Sequence, residues 1–375
     1  MSDKNEISSR RIKTYQRIKL LLSIVSSLFT AGILILLLVT HWSSDIYLLT
    51  HEISDAPFLR FVVYATCIAS LVGIVNLVFS ISSELLLERR YGLSNQSLSQ
   101  WMMQQAKGLL VGGVIGLPVL SIFYWCFITY NTFWWLPLGA ILFLFSVLLA
   151  RIAPLIIFPL FYTFTSIEAS SLRDKIEALC SKQGVKFDGI FSFNMSKESK
   201  KANAAFTGIG KAKRILLADT LLQSFTEDEI VSVFAHELGH YKHRHVLKGM
   251  LLGAVHLFAM LFISSKLFSW LLLQAGFTQE TFVPALPLLA LSLSAIGLLS
   301  SPIFHAVSRN HERQADAFAA QISNDPHTFI AALSRLADMN LADRAPHPLV
   351  EFFFHSHPSI QKRIAFIQRF SVSQS

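Results

Sequence analysis

The stretch "FAHELGHYKHRHVLKGMLLG" (residues 234–253) sets four histidines, His236, His240, His243 and His245, directly before an apolar run. That run reaches residue 273 and is long enough to cross a hydrocarbon core, which takes about 20 helical residues. Five other segments pass the same test: 20–40, 61–81, 109–128, 133–150 and 282–307. A further apolar stretch, 153–164, is short and carries Pro154 and Pro159. It reads as a broken continuation of the fourth span or as an interfacial segment, so the chain has six or seven transmembrane helices. Composition agrees: of 375 residues 53% are apolar, 31 are phenylalanine, only 15% are charged, and mean hydropathy is +0.49. These values exclude an ordinary soluble multidomain protein. The fold class is mainly α, a polytopic helical membrane protein with chemistry placed at the membrane surface.

The basic N-terminal stretch before the first apolar run resembles the start of a signal peptide. The run is too long for one and no small-x-small cleavage site follows, so it is read as the first span. With the N-terminus inside, the segments 1–19, 84–108, 151–245 and 308–375 hold 29 of the 32 Lys and Arg residues, and the outside loops hold none. Cytoplasmic loops carry that excess. The expected topology therefore places both termini and every sizeable soluble piece on the cytoplasmic side. It also explains the net charge of +8 without nucleic acid, which is not an expected partner. Three cysteines, two of them within spans, suit a reducing face and exclude a disulfide framework.

Four regions follow: 1–165, membrane; 166–245, a small α/β unit; 246–307, a transmembrane hairpin; 308–375, helices. In the α/β unit, Leu172, Ile176, Leu179 and Cys180 recur at helical spacing before Gly184. "FDGIFSFNM" alternates as a strand, and "NAAFTGIGKAKRILL" reads as two strands around a glycine turn. Thr226 followed by Glu229 forms a capping box, so a helix begins near Glu227 and carries the opening motif in its middle.

"HELGH" is HExxH. On a helix at about 100° per residue, His236 and His240 point within about 40° of each other, one turn apart, so two imidazoles can share one tetrahedral Zn²⁺. Glu237 projects sideways to reach a zinc-bound water as general base. Chance gives about 0.016 such matches in a chain with this many His and Glu. A catalytic zinc needs a third protein ligand and an open position. "SRNHERQADAFA" offers Glu312, with Asp316 one turn later, directly after the sixth span. The two feet of the hairpin lie on one membrane face, so the stretches can meet around a metal. Asp316 then suits a place behind a ligating imidazole, accepting its hydrogen bond. His311 is a rival ligand beside Glu312. His243 falls one turn beyond His240 and suits a solvent or interface role. His245 points to the opposite side and is structural. His256, about 15 Å into the fifth span, could face an intramembrane cavity, and Lys266 near its far end would snorkel outward.

Together, "FAHELGHYKHRH", "SRNHERQADAFA", "KKANAAFTGIGKAKRILLADTLL" and "HSHPSIQKRI" resemble the membrane-embedded zinc metalloproteases that include the type I CAAX prenyl protease, with the shorter bacterial heat-shock membrane protease as a relative. "ERRYGLSNQSLSQW", after the second span, is similar to a loop of the larger CAAX-type members. The resemblance covers most of the chain from about Ser82 onward. It implies a cytoplasmic gluzincin-type α/β protease domain built from two separated segments. It implies one zinc on His236, His240 and Glu312, Glu237 as base, and Asp316 behind the ligands. It further implies Asn203 on the substrate backbone, His357 and Arg363 near the cleaved carbonyl, and an edge strand near Asn203–Thr207 on which an extended peptide adds. Larger members enclose a water-filled chamber within seven spans, where this chain shows six clear ones.

The function expected is a zinc-dependent endopeptidase acting at the cytoplasmic face on peptide or protein substrates, lipidated or membrane-embedded, in CAAX-type processing or in membrane-protein quality control. The compact length and the lack of an organelle-retrieval tail point to a prokaryotic plasma membrane. A metal transporter is the competing class, but transporters hold their ligands at mid-membrane, and here every candidate ligand lies outside the apolar runs. A non-catalytic scaffold is the third reading, opposed by the intact Glu237.

Overall fold

The computed structural model describes residues 2–168, 170–207, 214–277, 281–323 and 325–372. Among them, six helices are long and apolar enough to cross a membrane. The first four lie in α1 (Ser2–Val39), α2 (Pro57–Ser80), α3 (Leu98–Tyr130) and α4 (Trp135–Ile152). The stretch at 153–164 settles as a continuation of the fourth span. A π-helical turn, Ala153–Ile157, absorbs Pro154, and one more helical turn, Phe158–Phe161, follows. The count is six.

Strand β1 (Phe164–Ser166) begins a mixed sheet with β2 (Gly189–Phe193), β3 (Ala204–Thr207) and β4 (Arg214–Ala218), in the order β1-β2-β4-β3. β1 was not legible in the sequence, because it directly continues an apolar helix. The glycine turn between β3 and β4 lies outside the described residues. β2 and β4 pair in parallel, joined by a crossover, while β3 pairs antiparallel with β4 and forms an edge. Two helices supply the apolar layer against the sheet: α5 (Ser171–Lys182) and α6 (Glu227–Lys242). Leu172, Ile176 and Cys180 are buried with Ile190, Ile215, Leu217, Phe234 and Leu238, as their helical spacing predicts. The capping box at the start of α6 is formed: Glu229 N–H donates to Thr226 Oγ1 (3.3 Å) and Thr226 N–H donates to Glu229 Oε2 (2.9 Å).

The hairpin helices α7 (His245–Gln274) and α8 (Leu286–Ile322) follow, then α9 (Pro326–Met339), α10 (Pro348–Phe354) and α11 (Ile360–Val372). In the membrane region each long helix packs on the next in chain order: α1 on α2, α2 on α3, α3 on α4, α4 on α7, α7 on α8. α8 returns to α1, so six helices close a ring. Many of their exposed positions are large and apolar, among them Leu28, Leu110, Val114, Val255 and Leu299. Only a hydrocarbon solvent accommodates that surface. At the end away from α6, an aromatic cluster of Phe61, Phe127, Trp134, Phe268 and Phe282 fills the space between helix ends, with Phe127 stacked on Phe282 at 4.1 Å. His256 is tied across the hairpin, its Nε2 2.9 Å from Ser300 Oγ, and Lys266 is exposed over the Phe262 ring.

Polar contacts fasten the sheet edge to the membrane region. Tyr15 and Lys201 both donate to buried Glu88 Oε1 at 2.6 Å, joined by Lys19 at 3.1 Å. The loop after α2 runs beside the approach to β3, with Asn95 N–H donating to Glu198 O (2.9 Å) and Lys200 N–H to Leu93 O (2.8 Å). The "ERRYGLSNQSLSQW" loop thus holds the segment leading to Asn203.

Candidate metal centre

α8 is an apolar span over its first half, then leaves the apolar region as a continuous helix. It crosses α6 so closely that the two backbones touch at Gly239. A Cβ at that position would stand 3.0 Å from Ala315 Cα and 3.1 Å from Ala315 O. Glycine is what the crossing requires, despite costing about 1 kcal/mol of helix propensity relative to alanine. Gly239→Ala is therefore expected to destabilise the protein by about 1–3 kcal/mol through overpacking and to weaken metal binding, measured by thermal unfolding and metal titration.

That crossing assembles the predicted ligands. His236 Nε2 lies 3.2 Å from His240 Nε2 and 3.3 Å from Glu312 Oε2, and His240 Nε2 lies 3.2 Å from Glu312 Oε1. Zinc–nitrogen bonds of about 2.0–2.1 Å put tetrahedral ligand atoms about 3.3–3.4 Å apart, so these separations, in which each histidine meets a different Glu312 oxygen, suit one zinc ion. Glu312 is 3% exposed, and its Oε2 has no hydrogen bond, an orphaned buried acceptor that a cation would satisfy. Among the described residues this is the one cluster of three such groups with metal-ligand spacing. The donor set of two imidazoles and a carboxylate fits zinc.

Behind His236, Asp316 Oδ1 lies 2.9 Å from Nδ1, which turns Nε2 toward the metal position. Asp316 is fully buried and held in turn by Arg363, whose Nε donates to Oδ2 at 2.9 Å and whose Nη2 donates to Oδ1 at 2.6 Å. Burial and the Arg363 charge push the His236 pKa down, but Asp316 and Glu312 outweigh them and raise it to about 9. Burial raises the Glu237 carboxyl above its ordinary value, against the opposing pull of His236 and His240.

A cavity of about 1080 Å³ joins the site to the sheet edge and is lined by Asn203, Glu237, His357 and Arg363 together with the ligands. All eight site residues expected from the sequence therefore converge. His357 is exposed, with Nε2 3.2 Å from Glu312 Oε1. Asn203 is exposed at the start of the edge strand, its carbonyl accepting from Ala218 N–H at 3.0 Å. Arg363 turns toward Asp316 rather than into open space. Removing its guanidinium leaves Asp316 buried without its bidentate partner, so Arg363→Ala is expected to cost about 3–5 kcal/mol in unfolding free energy. The Asp316→Leu/Arg363→Leu double variant is expected to recover part of that loss.

The structure corrects the expected position of His245 and adds Asn340. The motif helix does not run on into the span. It ends at Lys242 with His243 as its cap, and Arg244 takes a left-handed conformation (φ 55°) before α7 starts afresh at His245. The break rotates His245 off the back and against the site, where its Nδ1 lies 3.0 Å from His240 Nδ1. His243 is half-buried at the helix end, and His311 stacks on His245 rather than joining the ligands. Asn340, unnoticed in the sequence, clamps the residue before Asn203: it accepts from Ala202 N–H at 3.1 Å and donates to Ala202 O at 3.3 Å. A polar residue just after a helix carries no signal of so distant a partner.

Comparison with known proteins agrees with this geometry. Residues 166–371 match peptidase family M48, and residues 5–163 match the family described as CAAX prenyl protease N-terminal, five membrane helices. In that second stretch this chain forms four long apolar helices. The chain is 30% identical to the metalloprotease YhfN of Bacillus subtilis over 286 residues, covering 74% of this chain and 66% of that protein. It is 29% identical to CAAX prenyl protease 1 of Saccharomyces cerevisiae over 316 residues, covering 79% and 69%. The chain thus spans about two thirds of the length of these relatives. The crystal structure of Ste24p from S. mikatae superposes with a TM-score of 0.86 at 26% identity, covering 96% of this chain and 89% of that one. With family M48 matched over more than half of the chain and a His-His-Glu group able to hold a metal beside a ring of spans, the chain belongs to peptidase family M48 and is an integral-membrane metalloprotease.

Proposed function

We propose that this protein is a zinc-dependent endopeptidase that cleaves peptide bonds at the cytoplasmic face of its membrane. The observation that carries the reading is the triangle of His236, His240 and Glu312 with Glu237 beside it, in a cavity that opens on the edge of β3. Zinc bound there supplies Lewis-acid polarisation of a water and of the scissile carbonyl. Glu237 takes the proton of the attacking water and returns it to the leaving amine, a role suited to a carboxyl whose pKa burial has raised. His357, beside Glu312, and Nη1 of Arg363, the terminal nitrogen not bonded to Asp316, are the donors proposed for the oxygen that becomes negative. Asn203 holds the substrate backbone while an extended peptide adds to the free edge of β3. The distribution of Lys and Arg supports the cytoplasmic orientation, and a prokaryotic plasma membrane is its proposed setting.

The ring of spans beside the site supports substrates presented from the bilayer, lipidated or membrane-embedded. CAAX-type processing and membrane-protein quality control both draw on such substrates. The test is capture on the Glu237→Ala protein in its native cell. Trapped C-terminal prenylated peptides support processing and trapped misfolded membrane proteins support quality control. Capture of soluble proteins alone, equally by a variant lacking the ligands, contradicts both.

A further inference from the structure

His236 and His240 are supported differently from behind. Asp316, an anion, accepts from His236, whereas the atom behind His240 belongs to His245, whose Nε2 in turn lies 3.0 Å from Gln314 Oε1. The hydrogens of this chain follow from one requirement. If His240 Nε2 offers its lone pair to a metal, Nδ1 carries the hydrogen and donates to His245 Nδ1. His245 must then carry its hydrogen on Nε2, and Gln314 must present its oxygen. The opposite amide orientation reverses each donor and puts a hydrogen on His240 Nε2, where the lone pair is needed. The His245 ring is held flat for this role, stacked on His311 at 4.1 Å and 12° and on His243 at 5.5 Å and 17°, and it is 5% exposed.

We propose that His245 and Gln314 form a neutral positioning relay that fixes the metal-binding tautomer and ring orientation of His240. The inference rests on the metal centre described above. His245 is the first residue of α7 and Gln314 lies on α8, so both legs of the membrane hairpin hold a ligand contributed by α6. The left-handed turn at Arg244 is what brings the first leg into place. A relay without charge orients His240 while leaving the bound metal a stronger electrophile than a second carboxylate would.

The test uses the full chain in detergent or nanodiscs, with zinc affinity measured by chelator competition and visible absorption recorded after cobalt substitution. His245→Leu and Gln314→Leu are expected to weaken zinc binding by about 10–100-fold. Gln314→Glu, which keeps the acceptor and adds charge, is expected to bind zinc at least as tightly as wild type and to shift the cobalt bands. Should His245→Leu fail to fold, the two Gln314 variants decide. Wild type that takes up no zinc overturns the metal centre itself. Wild type that binds one zinc per chain, with Gln314→Leu within twofold of it and an unchanged cobalt spectrum, overturns the relay alone.

Discussion

Glu237→Ala is expected to keep its metal and lose peptide hydrolysis by at least the about 10²–10⁴-fold that general acid–base catalysis contributes. Glu237 sits between the two histidines in sequence but contributes no oxygen to the ligand triangle, so its loss leaves His236, His240 and Glu312 in place. The cavity it lines also admits water once the carboxylate is gone, so the residual rate measures what the metal and the remaining hydrogen-bond donors achieve without a base. Peptide turnover and metal content measured on the same preparation separate the two roles. An alanine variant with normal turnover and normal metal removes Glu237 from the chemistry.

Glu312→Ala is expected to act the other way, on the metal first. It removes one of the three proposed ligands, the one supplied from beyond the hairpin. The loss in affinity should exceed the about 10–100-fold typical of residues behind the ligands. Hydrolysis disappears with the metal, and excess zinc restores little of it. The fold is expected to survive. Gly239 against Ala315 holds α8 to α6, and the Asp316–Arg363 pair holds α8 to α11, both independently of the Glu312 carboxylate.

Much of this was legible because the signals are strong and local. Six apolar runs announce themselves, since a charged residue at mid-bilayer is costly. His236 and His240 share a face by helical periodicity alone, and Glu312 follows because a hairpin must return to its own side of the membrane. Asp316 needs only the next turn of the same helix. The reading failed where one backbone angle decides the outcome. Nothing about Arg244 marks it for a left-handed conformation, yet that residue moves His245 from the far side of the helix to the back of a ligand. Gly239 carries no sign within HExxH of the helix that lies across it, and β1 is three residues just after an apolar helix. Asn340 and Gln314 act through partners far away in sequence, which periodicity cannot reveal.

The central claim is that two segments separated by a membrane hairpin complete one metal site. Its most direct test is the metal content of purified full-length protein, compared among wild type, Glu237→Ala and Glu312→Ala after passage over a weak chelator. One zinc per chain in the first two and none in the third is the predicted result; a full complement of zinc retained by Glu312→Ala contradicts it.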